Sequence, residues 1–79
     1  MKVSDVRKYL LEENVEIRIT PKYINVVNYT EIGHFDSTKV IIYYNGGNAL
    51  ITGSNLYVSK LMDKEILIIG NVCNIELRW

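Results

Sequence analysis

Few groups in this sequence are able to do chemistry, and their number limits what each can do. His34 is the only histidine and Cys73 the only cysteine. A structural zinc site takes about four nitrogen or sulfur ligands, so one of each cannot build it within the chain. As a general base, His34 would need a substrate pocket and a positioned carboxylate. As a strand residue it needs only water or a hydrogen bond, and this plainer reading is preferred. Cys73 stands between Val72 and Asn74 and shares an alternating face with Ile75 and Leu77. No cationic neighbour or helix start is evident to activate the thiol, so Cys73 is read as a core cysteine. Gly46-Gly47 lacks the Lys and Ser/Thr that complete a phosphate loop. Asp36, Asp63 and Glu65 fall at turn positions and do not converge in sequence. No catalytic residue, metal site or cofactor is expected, and no enzyme.

The aromatic residues leave a second possibility open. Tyr23, Tyr29, Tyr43, Tyr44, Tyr57 and Trp79 would make an aromatic-rich β surface. Rings on a sheet face stack sugars or single-stranded bases. Tyr43, Tyr57 and Trp79 are the candidate interaction residues. Nucleic acid is not expected, because Lys39, Lys60 and Lys64 are too few and scattered for a backbone-tracking groove. The plainer reading is that most of these rings complete a small core or line a self-association face.

The elements that must position these residues follow from length and pattern. Seventy-nine residues allow one domain, taken as 1–79. A chain of this size buries only about 60% of its unfolded surface, so its core is marginal unless stapled or shared. One cysteine excludes an internal disulfide and fits a reducing compartment. Nine basic and nine acidic residues cancel, which gives no pull toward nucleic acid or anionic membrane. It also removes the self-repulsion that keeps small proteins apart. The longest apolar run, 40–44, is far short of the roughly 20 residues a spanning helix needs. The chain is therefore expected not to insert in a membrane, and no signal peptide is read at its start.

Residues 4–13 are the one helical candidate: Ser4 can cap, Asp5 suits the helix start, and Val3, Val6 and Leu10 share a face. From about 15 to 77 the chain reads as strands. Residues 15–19 alternate apolar and charged, and Pro21 ends that run. In 23–29, Ile24 and Val26 face one way; a turn is placed at 28–30 and a short strand at 31–35, with Gly33 as a bulge. In 39–44, Val40, Ile42 and Tyr44 face one way and Ile41 and Tyr43 the other, so this strand is expected to be central or covered on both sides. The Asn45-Gly46-Gly47-Asn48 loop makes a hairpin into 49–52, and 56–61, 65–69 and 72–77 follow. Leu50-Ile51-Thr52-Gly53 and Leu67-Ile68-Ile69-Gly70 echo one another, suggesting two units each bent at a glycine. The expected fold is mainly β: a small antiparallel curled sheet or two-layer roll of six to seven strands with one N-terminal helix. An Sm-like bent barrel is the alternative. Edge strands are expected to invite pairing, so a homo-oligomer is expected. Glu16 and Arg18 protect 15–19, whereas 72–77, ending at Arg78-Trp79, looks less protected.

One ordered pattern goes further. Phe35-Asp36-Ser37-Thr38-Lys39-Val40-Ile41-Ile42 is followed by a glycine loop and by Leu50-Ile51-Thr52-Gly53-Ser54-Asn55-Leu56-Tyr57-Val58. Then come Glu65-Ile66-Leu67-Ile68-Ile69-Gly70-Asn71-Val72 and Ile75-Glu76-Leu77. This resembles the YabP/YqfC family of sporulation proteins over roughly 15–77. The resemblance implies a non-enzymatic protein made in the mother cell of a spore-forming Firmicute, cytoplasmic, with a role in assembling the spore envelope. Its partner would be a protein of that envelope, a membrane protein among the candidates. The family carries no catalytic motif, so no functional residue transfers with it. The rival reading is a small β module that binds glycan or single-stranded nucleic acid through Tyr43, Tyr57 and Trp79.

Overall fold

The structure is a computed structural model and describes residues 14–79. The helix expected over 4–13 lies outside the described residues. Six strands follow one another: β1 (Glu16–Ile19), β2 (Tyr23–Val27), β3 (Tyr29–Phe35), β4 (Lys39–Tyr44), β5 (Gly47–Leu61) and β6 (Glu65–Arg78). All neighbours are antiparallel, and the sheet runs β1-β2-β6-β5-β4-β3. The mainly-β, curled-sheet expectation holds. Among the described residues the order is open at both ends, unlike the bent barrel of the Sm-like alternative.

Two strands carry the architecture. The segments read separately as 49–52 and 56–61 are one strand, β5, and 65–69 and 72–77 are one strand, β6. The glycines bend these strands and do not end them. Gly53 and Gly70 lie at the bend from opposite strands, and a Cβ on either has no room. At Gly53 it would run into the Asn71 carbonyl oxygen; at Gly70 it would lie 2.6 Å from the Asn55 carbonyl oxygen and 2.9 Å from the Leu56 Cα. Gly70 also has a φ of 148°, and Asn55 takes a left-handed φ of 54°, which Asn tolerates better than most residues. Leu56, 3% exposed, fills the inside of the bend.

The bend divides the sheet. Below it, β2 pairs with 65–69 of β6, and those residues pair with 57–61 of β5. Above it, β4 pairs with 47–52 of β5, and 48–53 pair with 72–78 of β6. The long hairpin doubles back on itself. Tyr29 lies opposite Tyr44 near the hairpin base, while its hydroxyl donates to the Met62 carbonyl at the hairpin tip, 2.9 Å away. The Asn28 N–H likewise donates to the Lys64 carbonyl at 2.6 Å. The two halves thus enclose one core: Ile24 and Val26 of β2, Val40 and Ile42 of β4, Ile51 and Leu56 of β5, Ile66 and Ile68 of β6. Isoleucine and valine dominate because β-branched side chains fit a pleated surface.

Two sequence expectations need correction, and one, that β4 is central or covered on both sides, is met by its place in the sheet. The turn placed at 28–30 is a single residue, Asn28, with φ of 67°, and Tyr29 and Thr30 already belong to β3. Strand β4 is central, between β3 and β5, but among the described residues it is covered on one face only. Val40, Ile42 and Tyr44 are buried, whereas Ile41 is half-buried and Tyr43 exposed. Cys73 is exposed, not core. Thr52 pairs with Asn74 and Gly53 with Val72, so Cys73 is the extra residue of a β-bulge. A bulge breaks the period of two. Before it, Ile66, Ile68 and Val72 face the core; after it, Ile75 does.

Candidate functional site

His34 and Asp36 form the only close polar pair near the histidine among the described residues. His34 Nε2 lies 2.8 Å from Asp36 Oδ2, and both side chains are about half exposed. The other carboxylate oxygen accepts from the Thr38 and Lys39 N–H groups, each at 2.7 Å, and from the Thr38 hydroxyl at 2.8 Å. Asp36 therefore closes the β3–β4 turn with its side chain. The His34 contact, then the Thr38 N–H, holds its carboxyl well below the usual carboxylate range. Oδ1 is occupied in holding that turn and Oδ2 in the His34 contact, on an open surface. The plain reading of His34 as a hydrogen-bonded strand residue holds. Among the described residues no group of three or more His, Cys, Asp or Glu side chains is placed to hold a metal ion.

The three candidate aromatic residues are not brought together. Tyr43 lies on the outer face of β4, 41% exposed, with its ring over Gly33, the bulge residue of β3. Tyr57 lies on the outer face of β5 beyond the bend and is 54% exposed. Trp79 points to the opposite, core side. Its ring meets buried Tyr44 at a centroid distance of 5.0 Å and 54° between planes. The Tyr44 hydroxyl donates to the Asn48 carbonyl at 2.9 Å, and burial raises its pKa. Tyr44 thus closes one end of the core, Trp79, 77% exposed, rests against its ring, and neither forms a platform with the other two rings.

A different row does assemble. Tyr23, Ile69 and Tyr57 stand side by side across β2, β6 and β5 on the outer face. Next to them Arg18, Asn25 and Leu67 line a shallow groove of about 350 Å³ with Tyr23, Glu65 and Ile69. Asn25 Nδ2 donates to Glu65 Oε2 at 3.1 Å along its floor. Alternation in 23–27 already put Tyr23 opposite Ile24 and Val26. The neighbourhood of β2 and β6, forty residues apart, has no local signal.

The free edges complete the picture. β1 and β3 end the strand order. The bend adds two more edges, because β2 leaves β6 at Ile69 and β4 leaves β5 at Thr52. Residues 57–61 of β5 and 74–78 of β6 therefore have a strand on one side only among the described residues. No helix among them is long and apolar enough to cross a membrane.

This geometry defines a small bent β roll whose resources are an aromatic outer row and unpaired strand edges. The chain matches the profile of the YabP family over residues 10–78 and belongs to that family. Membership carries a sporulation-related role. No curated protein and no solved structure matches the chain.

Proposed function

We propose that the chain is a non-enzymatic structural or adaptor protein of spore-envelope assembly. It acts by protein–protein contact, on the cytoplasmic side in the mother cell, and its partner is a protein of the developing envelope. Family membership carries the sporulation part of this reading. The contact part is supported by the surface. The outer row of Tyr23, Ile69 and Tyr57 presents large apolar side chains in a rigid sheet, and aromatic anchors of this kind dominate protein interfaces. The histidine and carboxylate nearest one another are engaged in a turn. The test is deletion of the gene in its sporulating host, complemented with the wild type or with a Tyr23→Ser/Tyr57→Ser variant. The expected result is a loss of heat-resistant spores on deletion, restored by the wild type and not by the variant. Unchanged sporulation together with vegetative expression would overturn it.

A further inference from the structure

We propose that the second half of β6 is a self-association edge. It pairs antiparallel with the same segment of a second copy, with the two-fold axis at Leu77. This goes beyond the sporulation reading and does not depend on it.

The first observation is that this edge is open. From Asn74 to Arg78, β6 is bonded to β5 on one side. On the other side the last bonds are Gly70 N–H to the Lys22 carbonyl, 3.0 Å, and Val72 N–H to the Pro21 carbonyl, 3.3 Å. Beyond them no described strand covers the backbone, and such a row of free N–H and C=O groups is a template for another strand.

The second is that the other edges carry protection and this one does not. β1 bears the same acid and base spacing in Glu16 and Arg18, but it is only four residues long, Glu16–Ile19, and Pro21 follows it closely. β3 is broken by two register shifts. The free part of β5 has Lys60 and a register shift at Ser59. Residues 74–79 have no Lys, no Pro and no register shift, since the bulge lies just before them at Cys73.

The third observation selects the partner and the register. Ile75-Glu76-Leu77-Arg78-Trp79 is symmetric in kind about Leu77: apolar, acid, apolar, base, apolar. Ile75 and Leu77 lie on the core face, opposite Ile51 and Ala49, while Glu76 and Arg78 lie on the outer face. Antiparallel pairing about Leu77 therefore sets Glu76 against Arg78 of the second copy, twice. It sets Leu77 against Leu77, and Ile75 against Trp79, which the Tyr44 ring already holds in place. Moving the axis to Glu76 would face two carboxylates; moving it to Ile75 would face Glu76 with Asn74 and leave Arg78 without the acid. At present Glu76 and Arg78 bond to each other along the strand at 3.2 Å with both side chains about half exposed, so the exchange across copies needs only rotamer changes. The result is one continuous sheet with β3 to β6 of each copy. Five paired residues and one tryptophan make an interface at the small end of the range, with a dissociation constant on the order of 10–100 μM.

The test is sedimentation equilibrium of the full chain between micromolar and millimolar concentration. Glu76→Arg and Arg78→Glu should each weaken dimerisation about tenfold or more by facing like charges, and the double exchange should restore it. Cross-linking reads the register. In a Cys73→Ser background, Leu77→Cys should form an intermolecular disulfide on oxidation, since directly opposed residues sit about 4.5–5.5 Å apart. Ile75→Cys should not, since its two copies lie about 13 Å apart along the strands. A chain that stays monomeric at millimolar concentration overturns the proposal. So does a double exchange no better than the single ones, or equal cross-linking at both positions.

Discussion

Strand β6 can be compared with itself on either side of Gly70. Both parts turn an apolar row to the core, Ile66 and Ile68 in 65–69 and Val72, Ile75 and Leu77 in 72–78. The outer face is apolar at Leu67 and Ile69 in the first and polar at Asn74, Glu76 and Arg78 in the second. Among the described residues the first part has β2 on one side and β5 on the other, and the second has β5 alone. Ile66 and Ile68 are fully buried, whereas Ile75 is half-buried and Leu77 is 44% exposed. On the core face the side chains are of one kind, so their type alone does not set burial there. The number of neighbouring strands sets it, and the bend decides that number.

The comparison predicts a steep gradient along one strand. Ile68→Ala should cost about 3–5 kcal/mol, since it removes packed volume from a closed core. That is enough to unfold much of a chain with about 5–8 kcal/mol of total stability. Leu77→Ala, at the open edge, should cost about 1 kcal/mol or less. Urea titrations of both variants measure the difference, and equal costs would break the comparison.

The bend comes next in size. Gly53→Ala and Gly70→Ala should each destabilise by about 2–3 kcal/mol, because the added methyl meets backbone atoms that cannot step aside. A smaller effect at Trp79 sharpens the picture of the open end. Trp79→Ala should cost about 1 kcal/mol through loss of the ring pair with Tyr44, measurable as a modest fall in Tm.

The smallest effect is expected in acid. The folded-state pKa of Asp36 is depressed, so its contribution to stability is full above the ordinary carboxylate value near 4. It is lost as pH falls through the folded value. Asp36→Asn keeps the acceptor for the Thr38 and Lys39 N–H groups but gives up the charged contact to His34. Thermal unfolding of the variant should depend less on pH between 5 and 2 than that of the wild type, each range limit being approximate.

Much of this fold was legible because alternation is local. The period of two in 23–27 and 39–44 marked Ile24, Val26, Val40, Ile42 and Tyr44 as one buried face, and the structure buries all five. The glycine echo marked both bends. What sequence could not show was that β5 and β6 run through the bends, since that depends on pairing between distant residues. The bulge at Cys73 was missed for the same reason: an extra residue is visible only once the partner strand is aligned. That one miss reversed the reading of Cys73 and of the face it was thought to share with Ile75. The aromatic residues misled in another way. Type and exposure suggested Tyr43, Tyr57 and Trp79, but face and register put Tyr57 with Tyr23 and Ile69 instead.

Amide hydrogen exchange along β6, followed residue by residue in dilute solution, tests the central claim most directly. Amides from Ile66 to Ile69 should all be slow, because a strand lies on each side. From Asn74 to Arg78 they should alternate, slow where the N–H points to β5 and fast where it points to the open side. Uniform protection through Arg78 at low concentration would contradict the account, since the second half of β6 would then not be an edge.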